Sequence, residues 1–240
     1  MLINKLSVII PVYNEEHTVI SVLEKVYNVQ LTGGITKEII IINDASVDGS
    51  RKRIEDFISG KKDSCFRFFN HEINKGKGGS IHTALEKITG DYFIIQDADL
   101  ELNPEDFNVL LQPVLSNNSD VVFGSRFLQV QQASTRFSIS LAANKFLTLF
   151  SNLAFGTRLT DMETCYKLIP AKAMKGITLV EERFGFEPEI TAKLARNRSL
   201  RITEVPVRYN ARTNKQGKKI GWKDGVRAVW CIIKYGLLRK

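Results

Sequence analysis

Asp97 and Asp99 stand two apart directly after the apolar run YFIIQ, with Glu101 two further on. Alternate residues of an extended chain point the same way, so this spacing presents carboxylate oxygens to one hard divalent cation such as Mg²⁺ or Mn²⁺. A cation there would neutralise a diphosphate. The bland alternative is that the acids end a strand and cap the helix starting near Pro104. Asp44, after EIIIIN, poses the same choice: a strand-end carboxylate accepts hydrogen bonds from a nucleobase or ribose, or closes an Asx turn. NKGKGGS offers backbone N–H groups and the Lys77 ammonium to phosphate at a loop-to-helix junction. It is neither GxxxxGK(S/T) nor GxGxxG, which argues against a P-loop ATPase and a dinucleotide enzyme.

The elements that must position these residues are legible as alternating strands and helices. Leu6 to Val12 is a short apolar run leading into PVYNEE, after which Thr18, Val19, Val22, Leu23 and Val26 recur at helical spacing. Glu38 to Ile42 is a bare β-branched run closed by NDASVDGS, and helical spacing resumes through Ile54, Phe57 and Ile58. A third strand near Phe66 to Asn70, a helix from about Ser80 to Thr89, the strand Tyr92 to Gln96 and a fifth near Asp120 to Gly124 complete the series. Strands without polar alternation, separated by helices, predict an α/β fold with a mainly parallel sheet covered on both faces. In such sheets ligands bind at the carboxyl ends of the strands, where PVYNEE, NDASVDGS, NKGKGGS and QDADLE fall. From Ser125 the rhythm changes: a polar linker LQVQQASTR, the apolar stretch Phe137 to Leu153, TDMETCYK, a helix near Glu187 to Arg196, a strand at Ile202 to Val207 and a basic tail.

At 240 residues and 43% apolar content, the chain is long enough for one large domain. A charged fraction of 25% with ordinary Gly and Pro excludes collagen and wholesale disorder. Cys65, Cys165 and Cys231 lie far apart without zinc-site spacing, so reduced thiols in cytoplasm are expected. The opening MLINKLSVIIPVYNEE lacks the pattern of a secretory signal, and no run reaches the ~18 apolar residues of a spanning helix. Of the net charge of +8, the stretch from Arg196 onward holds 13 Lys and Arg against Glu204 and Asp224, so the positive field is local. Such a tail suits anionic lipid, polyphosphate or nucleic acid; the aromatics lack the order of a base-stacking platform, so no nucleic-acid partner is expected. Phe137 to Phe155, and Trp222 to Lys240 with its mixture of Trp, Tyr, Lys and Arg, suit helices lying at a membrane surface, or packed in a core. His17, His71 and His82 are scattered and receive no catalytic role.

Taken as an ordered set, PVYNEE, NDASVDGS, NKGKG, DADLE and GSR over Leu6 to Arg126 resemble the inverting family-2 glycosyltransferases with the GT-A nucleotide-sugar fold, nearest the dolichyl-phosphate mannose synthase and polyprenyl-phosphate glycosyltransferase branch. The resemblance implies a Rossmann-like sheet followed by interfacial helices, with residues 1–126 as the donor half and 127–240 as the acceptor and membrane half of one catalytic domain. It implies that Pro11, Tyr13, Glu15, Asp44, Lys77, Asp97 and Ala98 bind a nucleotide-diphosphate sugar, with Asp97, Asp99 and Glu101 holding Mg²⁺ or Mn²⁺ against the diphosphate. Arg126, Arg136, Ser140, Arg212 and Lys218 would hold the acceptor phosphate, aided by Lys215 and Lys219, and Asp99, Arg126 and Asp161 form the catalytic set. Where mannose synthases carry Ser-Gly-aromatic, this chain has Met162, Glu163, Thr164 and Cys165, a departure that leans the donor from GDP-mannose towards a UDP-hexose.

The chemistry agrees with that implication. A polyprenyl phosphate is already a nucleophile near neutral pH, so its attack needs positioning rather than deprotonation, and arginines replace a general base. Cation and loop N–H groups would stabilise the departing nucleoside diphosphate. The expected setting is the cytoplasmic face of a membrane, with peripheral contact to anionic lipid. A rival enzyme would use a glycan hydroxyl, with Asp161 or Glu163 taking its proton. A non-enzymatic rival is a nucleotide-sugar or polyanion binding module.

Overall fold

A computed structural model of the chain describes residues 3–61, 63–128, 139–212 and 221–238. Seven strands, β1 (Lys5–Val12), β2 (Thr36–Asn43), β3 (Phe66–Asn70), β4 (Tyr92–Ile95), β5 (Val121–Ser125), β6 (Lys167–Pro170) and β7 (Ile202–Pro206), form one sheet in the order β3-β2-β1-β4-β6-β5-β7. Seven helices accompany it: α1 (Val19–Asn28), α2 (Ser50–Ser59), α3 (Gly76–Leu85), α4 (Phe107–Leu115), α5 (Ile139–Phe155), α6 (Phe186–Arg196) and α7 (Trp222–Ile232).

The strands read as continuous apolar runs because both faces are covered. Side chains alternate between faces. Leu6, Val8 and Ile10 of β1, with Ile39, Ile41 and Ile94, pack on Val22 and Leu23 of α1 and Leu110 and Leu111 of α4. Ile9, Ile40, Ile42, Phe93 and Ile95 face the other way, onto Ile81 of α3, Leu147 of α5, Ile190 of α6 and Ile232 of α7. Each such side chain, removed wholly from water, contributes about 1.5–3 kcal/mol. The expected α/β sheet, mainly parallel, is the observed one.

Two boundaries differ from the sequence expectation. The helix anticipated from about Ser80 begins at Gly76 and ends at Leu85. Its glycines serve close packing: a Cβ on Gly78 would lie 2.0 Å from the Glu181 carbonyl oxygen. The second difference is β6, a four-residue strand not anticipated, which runs antiparallel between β4 and β5. Because β6 opposes both neighbours, β5 and its parallel partner β7 run in the direction of β1, β2 and β4. The carboxyl ends of six strands therefore share one edge, and the chain entering β6, residues 161–166, comes in at that same edge.

Candidate active site

Three strand tips are turned by left-handed residues: Asn14 (φ 51°) after β1, Ala45 (φ 56°) after β2 and Leu100 (φ 64°) after β4. Non-glycine residues rarely adopt this conformation, and its clustering at one edge marks loops held by their surroundings. Asp44 supplies much of that hold. Its carboxylate is 3% exposed and accepts from His71 Nδ1 at 2.7 Å, Lys75 N–H at 2.9 Å and Gly76 N–H at 2.7 Å. Asp44, expected as an acceptor for base or ribose, here knots the β2 tip to the glycine loop. The same bonds, with Gly79 N–H donating to the Glu182 carbonyl, occupy N–H groups that the sequence reading offered to phosphate. Pro11 sits near the end of β1, and Tyr13 beyond it is 39% exposed at the rim.

The acids after β4 crowd one another. Burial, then the Asp97 and Glu101 carboxylates, push the Asp99 carboxyl up to about 7. Asp97 accepts from Lys77 Nζ at 2.9 Å, Asp99 from the Glu101 N–H at 3.0 Å, and Glu101 from the Arg212 N–H at 2.8 Å. Among the described residues no group of three His, Cys, Asp or Glu stands ready to enclose a metal, so the expected three-acid cage is not pre-formed. Ala98 is buried, and its carbonyl accepts from the Thr18 hydroxyl at 2.7 Å. Beneath the acids, the Tyr166 hydroxyl donates to Gln96 Oε1 at 2.5 Å and Gln96 Nε2 to the Asp97 carbonyl at 3.0 Å, fixing the backbone from which the carboxylates project.

The guanidinium side is set by pairings remote in sequence. Arg126, one residue past β5, makes a two-pronged contact with Asp161, Nε and Nη2 each donating to a different oxygen at 2.7 Å, and its backbone N–H donates at 3.0 Å. Asp161 is wholly buried. Glu204 on β7 accepts from the N–H groups of Thr160 and Asp161 at 2.7 and 3.0 Å, holding that segment in place. The Arg126 cation also lies 5.2 Å over the Tyr209 ring. With both Asp161 oxygens engaged, Asp161 holds Arg126, its partner in the expected catalytic set. Arg212 and Glu15, expected on the acceptor and donor sides, are brought together. Two Arg212 nitrogens donate to the Glu15 carboxylate at 3.1 and 2.8 Å, and Nε to the Asp99 carbonyl at 2.8 Å.

Sequence reasoning missed a charged chain below the crevice. Lys77, 16% exposed, lies 2.9 Å from Asp97 and 3.3 Å from Glu187 at the start of α6. Fully buried Lys167 on β6 donates to Glu187 and to the Thr164 carbonyl. Lys77 is therefore tied between two acids. Glu163 is the exception in this set. It shares in no hydrogen bond or ion pair with the described residues, and its Oε1 is buried without a partner. Burial, then the nearby Glu187 carboxylate, push its carboxyl up to about 7 against the pull of Lys167 and Arg126. Only the irregular spacing of Glu163, Lys167 and Glu187 around a short strand could have hinted at the group. Arg136, Lys215, Lys218, Lys219 and the side chain of Ser140 lie outside the described residues.

Comparison with known proteins matches residues 7–175 to the model for glycosyl transferase family 2. A dolichyl-phosphate beta-glucosyltransferase of Trichomonas vaginalis is 27% identical over 98% of this chain and 74% of its own. A dolichol-phosphate mannosyltransferase of Pyrococcus furiosus is 23% identical over 96% and 64%. Among solved structures, glucosyl-3-phosphoglycerate synthase from Mycobacterium tuberculosis, in complex with Mn²⁺, UDP and phosphoglyceric acid, superposes with a TM-score of 0.71 at 16% identity, over 96% of this chain and 78% of that one. That likeness is one of fold. A family match over most of the length, on the GT-A sheet just described, means that this chain belongs to glycosyl transferase family 2.

Proposed function

We propose that this protein transfers a hexose from a nucleotide-diphosphate sugar to a polyprenyl phosphate, with inversion and with a divalent cation, at the cytoplasmic face of a membrane. The observation that carries the reading is one strand edge bearing three crowded acids after β4 and, beyond β5 and β7, Arg126 and Arg212. Polyprenyl-phosphate transfer is also what the names of both relatives above describe. Residues 1–126 would serve the donor and 127–240 the acceptor.

The acids fit a cation. Burial, then the Asp97 and Glu101 carboxylates, lift Asp99 to about 7, which marks a site short of positive charge. Asp97 and Asp99, with Glu101 behind them, would hold Mg²⁺ or Mn²⁺, the remaining ligands coming from the donor. When bound, that cation would neutralise charge building on the departing diphosphate. Tyr13 and Pro11 would flank the nucleotide, and Lys77, released from Asp97, would meet a phosphate. Of the five Arg126 N–H donors, Asp161 takes two, and the Nη1 pair remains to orient a lipid phosphate for attack. Arg212, held by Glu15, adds positive potential beside the acids.

Peripheral membrane contact is supported by α5 and α7. They pack on one another, yet Phe146, Leu149 and Leu153 of α5, with Leu153 77% exposed, and Val226 and Trp230 of α7 stay in water. No helix among the described residues is long and apolar enough to cross a membrane. A surface of this kind suits an anionic bilayer, where the basic tail adds attraction.

A glycan-hydroxyl acceptor remains a second reading because Glu163, with its raised, unpaired carboxyl, has the character of a general base. One experiment decides: radiolabelled UDP-glucose, UDP-N-acetylglucosamine and GDP-mannose are offered with and without a short polyprenyl phosphate. The proposal expects label in organic solvent only when lipid phosphate is present. Label staying in water with every donor refutes it.

A further inference from the structure

The carboxylates of the site have a job in the folded protein, with one exception. Asp44 knots two loops, Asp161 holds Arg126, Glu15 holds Arg212, Glu204 holds the Thr160–Asp161 segment, and Glu187 takes Lys167. Glu163 has none. A buried polar atom without a partner forfeits the hydrogen bonds it had in water, so the fold carries this acid at a loss. Its surroundings make the cost larger: burial, then the Glu187 carboxylate, push its carboxyl up. Glu187 shows the same deficit in part, since its Oε1 lacks a hydrogen bond and has only the Lys77 ammonium at 3.3 Å. Glu187 adjoins the Lys77 that reaches Asp97, and Glu163 lies close enough to Glu187 to feel its charge, so the pair leads away from the point where a diphosphate-linked sugar would hang.

We infer that Glu163, backed by Glu187, recognises the hydroxyl groups of the transferred sugar and selects a neutral hexose over a uronic acid. Sugar hydroxyls are donors, and an acid with vacant lone pairs accepts from them, whereas a sugar carboxylate brought against Glu163 and Glu187 would meet like charge. Lys77, partly exposed beside Glu187, can donate in turn to a hydroxyl oxygen, which sets a donor next to the acceptors as a polyol needs. Glu163 Oε1 is buried, so a turn of the Glu163 side chain accompanies binding. The inference rests on the donor half of the proposed function.

The test is calorimetric, on the full chain with Mn²⁺, and separates the sugar from its nucleotide. UDP is compared with UDP-glucose and UDP-glucuronate, and GDP with GDP-mannose, in wild type, Glu163→Met and Glu163→Gln. Wild type is expected to bind one neutral sugar nucleotide more tightly than its bare diphosphate, and UDP-glucuronate no better than UDP. Glu163→Met is expected to erase that increment, a loss of about tenfold, while the affinity for the bare diphosphate stays. Glu163→Gln, which keeps an acceptor, loses part of it and serves should the Met variant fail to fold. The melting temperature of Glu163→Met is expected to equal or exceed that of wild type, because an unsatisfied acid leaves the interior. An unchanged increment in both variants overturns the inference, as does a collapse of transfer with donor binding intact, which would make Glu163 a base. Failure of either bare diphosphate to bind wild type would instead refute the proposed donor site.

Discussion

Replacing Asp161 by Asn isolates how Arg126 is held. In the native protein the Asp161 carboxylate is buried completely and takes two guanidinium N–H groups at 2.7 Å and one backbone N–H at 3.0 Å, while the Arg126 side chain is 13% exposed. Removing one charge from a buried pair costs about 3–5 kcal/mol, because the other charge stays desolvated. The Asn oxygen can still accept one N–H, and the Tyr209 ring 5.2 Å away still faces the cation, which argues for the lower end, about 3 kcal/mol. For a chain of this length about 2–4 °C of melting temperature accompanies each kcal/mol, giving a fall of about 6–12 °C. Urea and thermal unfolding of wild type, Asp161→Asn, Arg126→Met and the double variant Arg126→Met/Asp161→Leu measure the pairing directly. The double variant is expected to regain most of the stability, since two apolar groups leave no charge behind. Additive losses in the double variant, or an Asp161→Asn protein melting within about 1 °C of wild type, would refute the reasoning and return Asp161 to the list of possible bases.

Other consequences can be checked alongside. Asp99→Ala is expected to abolish transfer with an unchanged melting profile, and EDTA to abolish wild-type transfer reversibly on adding Mn²⁺; activity surviving both would remove the cation from the site. Glu38 is buried, which alone would raise its carboxyl, but Ser7 and Thr89 hydrogen bonds and Lys5 bring it down to about 2. Its contribution to stability is therefore complete above the usual carboxylate value of 4.5 and fades as pH falls towards 2, so the acid-side loss of urea midpoint should flatten in Glu38→Gln. Gly78→Ala would drive a Cβ to 2.0 Å from the Glu181 carbonyl oxygen, and a loss of about 1–3 kcal/mol is expected by urea unfolding; wild-type stability would mean that the α3 contact yields easily.

How much could be read in advance differs from element to element. Strands β1, β2 and β4 announce themselves because a strand covered on both faces has no polar alternation, and α1 because Val19, Val22, Leu23 and Val26 keep one face. The four-residue β6 carries a buried lysine and no periodicity. It is a strand because β4 and β5 offer it hydrogen bonds, a circumstance without local trace. The acids after β4 were visible by spacing, yet the engagement of Asp44 with His71 and the glycine loop was not. An N-terminal helix acid such as Glu187 looks like any capping residue until Lys77 and Lys167 are seen on either side of it.

The sequence alone determined the parallel strands β1, β2 and β4 and the edge where chemistry belongs, because apolar runs and turn residues are local quantities that a short window contains. Tertiary structure decided which charged groups are spoken for. Arg212 meets Glu15 across 197 residues, Arg126 meets Asp161 across 35, and Glu163 finds no hydrogen bond or ion pair among the described residues. An ion pair depends on distance and burial in three dimensions, and the folded chain assigns those only when every strand has found its neighbours.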